Sequence, residues 1–193
     1  MLTKFINKVK RKMGIPIYYP SETSKVRHLV LAYCQGDGCD IGFGGDKIKK
    51  ERCAGIDFAQ PYAHTGREKV DVECDVIKDE IPVPDNTYDY VYTSHLIEDF
   101  VDTADGLRKF IRILKPGGSL ILVFPDQPTY ERYCARTGQP LNMYHVHKDM
   151  GEAFMLNVMD KLPGVRYDVL FSSNCEIDYN VILVLKVHKE QHG

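Results

Sequence analysis

The six cysteines of this 193-residue chain, Cys34, Cys39, Cys53, Cys74, Cys134 and Cys175, form no C-x-x-C pair and no zinc-ribbon spacing. They read as reduced thiols, several inside apolar runs where cysteine packs as a small hydrophobe. No run approaches the ~20 apolar residues that a membrane span requires. The lysine-bearing N-terminus holds no apolar stretch long enough for a secretory signal, so the expected location is cytoplasmic. Basic residues are not in excess: 25 Lys and Arg stand against 27 Asp and Glu, a net charge of -2. The molecule as a whole therefore exerts no pull on nucleic acid, and no nucleic-acid partner is expected. Internal repeats and low-complexity tracts are absent.

What is present is an ordinary globular composition, 44% hydrophobic and 27% charged, in a length suited to one domain. Residues 1–20 stand apart. They carry Lys4, Lys8, Lys10, Arg11 and Lys12 without an acid, and Leu2, Phe5, Ile6, Val9 and Met13 recur at helical spacing. The spacing predicts a basic amphipathic helix packed on the domain or over its mouth, with contact to a membrane surface as the lesser reading. Residues 21–193 form the single domain.

Within that domain, Val26, Leu29, Val30 and Tyr33 mark a helix over 21–33. Strand-like runs follow at 39–41, 53–57, 70–74, 88–93, 119–124, 167–171 and 181–187. Helices are predicted over 103–114, stopped by Pro116-Gly117-Gly118, and over 149–162, stopped by Pro163-Gly164. The run 119–124 is apolar at almost every position, as a central strand covered on both faces requires. The pattern is an α/β open sheet of seven strands, mostly parallel, with one late antiparallel strand and helices on both faces.

In such a sheet ligands bind beyond the carboxyl ends of the strands, where the strand order reverses. The chemistry-bearing residues stand there. Asp40-Ile41-Gly42-Phe43-Gly44-Gly45 follows the first strand, Asp57 ends the second, and Cys74-Asp75-Val76 ends the third. A carboxylate at Asp57 can accept from both hydroxyls of a ribose. One at Asp75 can accept from an adenine amine while the next backbone N–H donates to the ring. Taken singly, each acid is equally well a solvated turn residue; three after three successive strands are harder to dismiss.

Asp40-Ile41-Gly42-Phe43-Gly44, Ile56-Asp57, Cys74-Asp75, Tyr88-Asp89-Tyr90-Val91 and Leu114-Lys115-Pro116-Gly117-Gly118 occur in this order. In that respect the chain resembles the class I S-adenosylmethionine-dependent methyltransferases, whose sheet is Rossmann-like. It is most similar to a small bacterial group with a Phe-Gly-Gly first loop, Ser94-His95-Leu96-Ile97-Glu98-Asp99-Phe100 after the fourth strand, and a later His-x-His, here His145 to His147. The resemblance implies S-adenosylmethionine as cofactor. It places Gly42, Phe43 and Gly44 at its methionine part, with Asp40 ordering the loop. Asp57 and Phe58 would lie at the ribose, Asp75 and Val76 at adenine, and Ser94, His95 and Leu96 at the sulfonium. One departure stands out: Asp46 replaces the usual third glycine, and 47–53 is too short for the usual first helix. That argues against NAD, whose pyrophosphate needs both.

Methyl transfer is an in-line displacement for which positioning alone can supply about 7–11 kcal/mol. A hydroxyl acceptor would gain from a general base. His95 is the first candidate and Glu98, a helical turn on, orients it or replaces it; packing on the cofactor and a local salt bridge are the equal alternatives. The polar and aromatic connection 125–149 reads as an acceptor lid, with Asp126, Tyr130, His145 and His147 as substrate-binding candidates. If extended, His145, His147 and Asp149 share one side, but without a further ligand no metal is expected. The expected partner is a small polar, sugar-like substrate. Two other functions remain: a non-catalytic S-adenosylmethionine-binding partner subunit, and a nicotinamide-dependent oxidoreductase. Oligomeric state is not legible.

Overall fold

The computed structural model describes residues 20–59 and 68–190; the amphipathic stretch expected over 1–20 lies outside them except for Pro20. Ser21 caps the first helix, α1 (Glu22–Val30), its hydroxyl accepting from Ser24 N at 2.9 Å. A 3-10 turn, Leu31–Tyr33, extends it to the predicted end. Asp102 caps α2 (Thr103–Ile113) in the same way. The remaining helices are α3 (Gln127–Thr137) and α4 (Glu152–Met159).

The strands are β1 (Gly38–Ile41), β2 (Cys53–Asp57), β3 (Val72–Glu73), β4 (Tyr88–Ser94), β5 (Leu114–Pro125), β6 (Val165–Ile177) and β7 (Asn180–Lys189). Among the described residues they form one sheet in the order β3-β2-β1-β4-β5-β7-β6. β1 to β5 run parallel, and β7 is antiparallel to both of its neighbours. This is the expected Rossmann-like architecture. The order reverses between β1 and β4, which opens the crevice at their carboxyl ends.

Period-two alternation splits β5 between two cores. Leu120, Leu122 and Phe124 join α2 and α4 through Leu107, Phe110, Met155 and Met159. Ile121 and Val123 face Val26 and Val30 of α1 with Tyr90, Tyr92, Ile182 and Val184. The second half of β5 is thus covered on both faces.

Two details differ from the sequence reading. The Pro116-Gly117-Gly118 stop lies inside β5, where the pairing with β4 slips between Tyr88 and Tyr90. The first half of the 125–149 connection is helical, because Asp126 caps α3 and Gly138, at φ +71°, ends it. That helix buries only Gln127, Tyr130 and Cys134, so its sequence shows little apolar period.

Candidate active site

The turn after β1 is held by side chains instead of a helix. Gly42 (φ +70°), Gly44 (φ +56°) and Gly45 (φ +80°) adopt left-handed backbone. A Cβ on Gly42 would stand 3.0 Å from Leu96. Phe43 turns its ring inward against Gly55, so only its backbone is left at the turn. Asp40 is buried and accepts from Ile48 N at 2.6 Å; burial drives its carboxyl well above the usual range, opposed mainly by that amide. Asp46 is gripped by Arg27 Nη2 at 2.7 Å and by the Ser21 hydroxyl. Arg27 also donates to the carbonyls of Ile48 and Lys47, at 3.1 and 3.0 Å.

Asp57, at the tip of β2, accepts from Gly44 N at 3.0 Å and from Phe58 N at 2.8 Å. These two backbone amides fix the carboxylate at the strand tip. Asp75 follows β3. Burial acts to raise its pKa, but Lys78, with Nζ 2.9 Å away, keeps it below the usual range. The turn after Asp75 is fixed from beneath by Lys109 of α2, which donates to the carbonyls of Val76 and Ile77 at 3.2 and 3.3 Å. Phe58, Asp75, Ile77 and Lys78 line a cleft of about 450 Å³, a size ordinary for small-molecule sites. Val76 is buried behind them.

Across the reversal point, β4 ends in the buried Ser94, and His95 follows it with left-handed backbone at φ +55°. The imidazole Nε2 lies 2.7 Å from Asn180 Oδ1 and 3.9 Å from Glu22 Oε2. Its Nδ1 lies 3.2 Å from Glu98 Oε1. Burial opposes a charged imidazole, but Glu98, Glu22 and Asn180 outweigh it and raise the pKa to about 9. His95 therefore rests as an imidazolium at neutral pH. Glu98 is only 1% exposed. Its Oε1 also stands 3.6 Å from Nε2 of His145, which bonds Gln127 Oε1 through Nδ1 at 2.9 Å. Tyr130 packs on His145 with ring centroids 4.8 Å apart.

The structure thus gathers His95, Glu98, Tyr130 and His145 into one cluster. Asp126 and His147 fall elsewhere. Asp126 spends its carboxylate on the N-terminus of α3, accepting from Thr129 N at 3.0 Å. His147 Nε2 bonds the Phe100 carbonyl at 2.8 Å and Thr103 Oγ1 at 3.0 Å. The two imidazoles of the His-x-His thus reach different partners. Among the described residues no group of three or more His, Cys, Asp or Glu is arranged to hold a metal. Nor is any helix among them long and apolar enough to cross a membrane. Sequence reasoning missed Glu22, Lys109, Tyr179 and Asn180. Glu22 receives Tyr179 OH at 3.2 Å and Asn180 Nδ2 at 3.1 Å, contacts that only the folded chain brings together.

Residues 38–122 match a family model described as a methyltransferase domain. A demethylmenaquinone methyltransferase of Listeria monocytogenes is 37% identical over 82 residues, a match that covers 38% of this chain and 34% of that protein. The chain thus spans about a third of the length of that curated relative. An S-adenosylmethionine-dependent methyltransferase of Thermotoga maritima superposes with a TM-score of 0.62 at 19% identity, over 95% of this chain and 97% of the other. One from Mesorhizobium loti gives 0.60 at 13% identity, over 86% and 98%. At these identities the structural likeness is a likeness of fold.

Proposed function

We propose that this chain, whose domain match, fold and relatives support a class I S-adenosylmethionine-dependent methyltransferase, methylates a small polar acceptor. The observation that carries this reading is the division of the crevice. Carboxylates at the tips of β2 and β3 stand on one side of the glycine turn, and a hydrogen-bonding cluster around His95 stands on the other.

The residues present fit the cofactor. Gly42 and Gly44 allow close approach, Asp57 places a carboxylate at the tip of β2 where a ribose would lie, and Asp75 with the Lys109-fixed turn presents an adenine-reading edge. S-adenosylmethionine carries no phosphate, so a turn without a helix N-terminus suffices for it. When bound, it supplies a methyl group on a positively charged sulfur.

The chain's own contribution is binding and alignment. In this reading His95 and Glu98 orient the acceptor and do not abstract its proton. An imidazolium has no lone pair with which to take a proton, and both N–H groups of His95 are directed at Glu98 and Asn180. Glu22 and Asn180 keep it charged and fixed. Glu22 and His95, the partly exposed members of this cluster, suit a hydroxyl- or amine-bearing, sugar-like compound. Demethylmenaquinone, named for the relative, belongs in the same screen as the contrasting acceptor.

Titration calorimetry with S-adenosylmethionine, S-adenosylhomocysteine and NAD tests the reading. Binding of the first two and not the third is expected, with Asp57→Asn weakening both by about tenfold or more. Formation of S-adenosylhomocysteine in the presence of polar metabolites then tests turnover. A folded protein that ignores both sulfur ligands at millimolar concentration overturns the proposal.

A further inference from the structure

The segment after α3 is fastened like a strap across the loop that follows β4. His145 reaches down to Gln127 and Glu98, at 2.9 and 3.6 Å, and His147 reaches Phe100 O and Thr103 Oγ1. Between them, Val146 N donates to Glu98 O at 3.2 Å. With its backbone and both imidazoles occupied, the strap leaves apolar side chains on its outer surface. Met143 is 85% exposed, Tyr144 56% and Val146 46%. These three are not scattered. All of them line the cleft of about 450 Å³ whose other walls are Phe58, Asp75, Ile77, Lys78 and Asp99. A thioether, a phenol, an isopropyl group and the Phe58 ring bordering one cleft suit a flat, partly apolar ring. Asp75, also on its lining, supplies the polar contact that an exocyclic amine would satisfy.

We propose that Met143, Tyr144 and Val146 form an outer wall of the adenine subsite, and that His145 and His147 act as positioning residues that hold this wall over the cleft. The inference rests on the cofactor reading above and assigns the His-x-His a task other than acceptor contact. Retention of the nucleoside then depends on a segment remote in sequence from the strand-tip acids. The imidazoles act through the strap and do not touch the ligand.

Calorimetry with S-adenosylhomocysteine, with adenosine and with methionine separates the ends of the ligand. Tyr144→Ala is expected to weaken S-adenosylhomocysteine and adenosine alike by about tenfold, through the lost ring contact, and to leave methionine unaffected. Melting temperatures read in parallel separate a loss of the ring contact from a loss of fold. Tyr144→Phe should restore affinity. His147→Ala should speed release of S-adenosylhomocysteine and raise amide exchange across 141–147, and His147→Gln should recover most of both by keeping a donor for the Phe100 carbonyl. The inference is overturned if the parent binds S-adenosylhomocysteine and both alanine variants bind it equally well. It is overturned too if they change only the KM for the acceptor, which would make the slot an acceptor site. A parent protein that binds neither S-adenosylhomocysteine nor adenosine removes the cofactor reading itself, and this inference with it.

Discussion

Replacing His95 with Gln should erase a pH dependence of stability that its charge creates. The imidazole is buried, which alone would favour the neutral form. It is surrounded by Glu98 at 3.2 Å, Glu22 at 3.9 Å and the Asn180 amide oxygen at 2.7 Å, and their joint effect lifts its pKa from 6.5 to about 9. The folded value lies above the unfolded one, so the folded state binds the proton more tightly. The associated stabilisation is fully present below pH 6.5 and drains away as pH rises through about 9. Converting the interval at 1.36 kcal/mol per pH unit gives a ceiling of about 3 kcal/mol. Urea unfolding between about pH 6 and about pH 9.5 reads this directly, with a slope of at most about 1.4 kcal/mol per pH unit from this one proton. The parent should lose stability across the window, and His95→Gln should show a profile flatter by up to that ceiling. Parallel profiles for the two proteins would refute the argument, because the charge on His95 would then be the same in the folded and unfolded chains.

Gly55→Ala should destabilise by about 1–3 kcal/mol, the range for overpacking a filled core, and urea unfolding checks it; the added Cβ would lie 2.7 Å from the buried Phe43 ring, so that the ring must shift. Cys34 and Cys53 are buried, and burial pushes both thiols up to about 12. In the native protein at neutral pH they should therefore resist a disulfide reagent that labels the half-exposed Cys175 first, an order that timed labelling and mass spectrometry would reveal.

The sheet was legible because its strands are apolar runs of the right length, and the central one, β5, is apolar on both faces. The acids that follow β2 and β3 were legible for a related reason: a strand's end fixes where the next residue must stand. Helix α3 was not, since its buried face is Gln127, Tyr130 and Cys134, a pattern with almost no hydrophobic contrast. The capping role of Asp126 was not legible either, because a carboxylate at the rim of a sheet and a carboxylate capping a helix look alike in sequence. The His95 cluster was half visible. His95 and Glu98 are neighbours in the chain, but Asn180 is 85 positions from His95 and Glu22 comes from the first helix, before β1. No local pattern reports a pairing of that range, and it is the pairing that sets the charge on the imidazole.

Asp46 shows how a departure from a familiar motif can be read physically. With too few residues between β1 and β2 for a helix, the connection loses the intrahelical bonds that would normally fix it. Its backbone is instead tied by Gly42 N to Ile56 O, Asp46 N to Phe43 O, Ile48 N to Asp40, and the Lys47 and Ile48 carbonyls to Arg27. Arg27 can reach those carbonyls because it is also paired with Asp46 at 2.7 Å, and Ser21, the cap of the same helix, bonds the same carboxylate. A glycine at this position would free the turn and leave the guanidinium without its carboxylate. The acid at 46 is therefore part of the compensation for a missing helix. The glycines it leaves in place, at 42, 44 and 45, are those whose left-handed backbone the turn still requires.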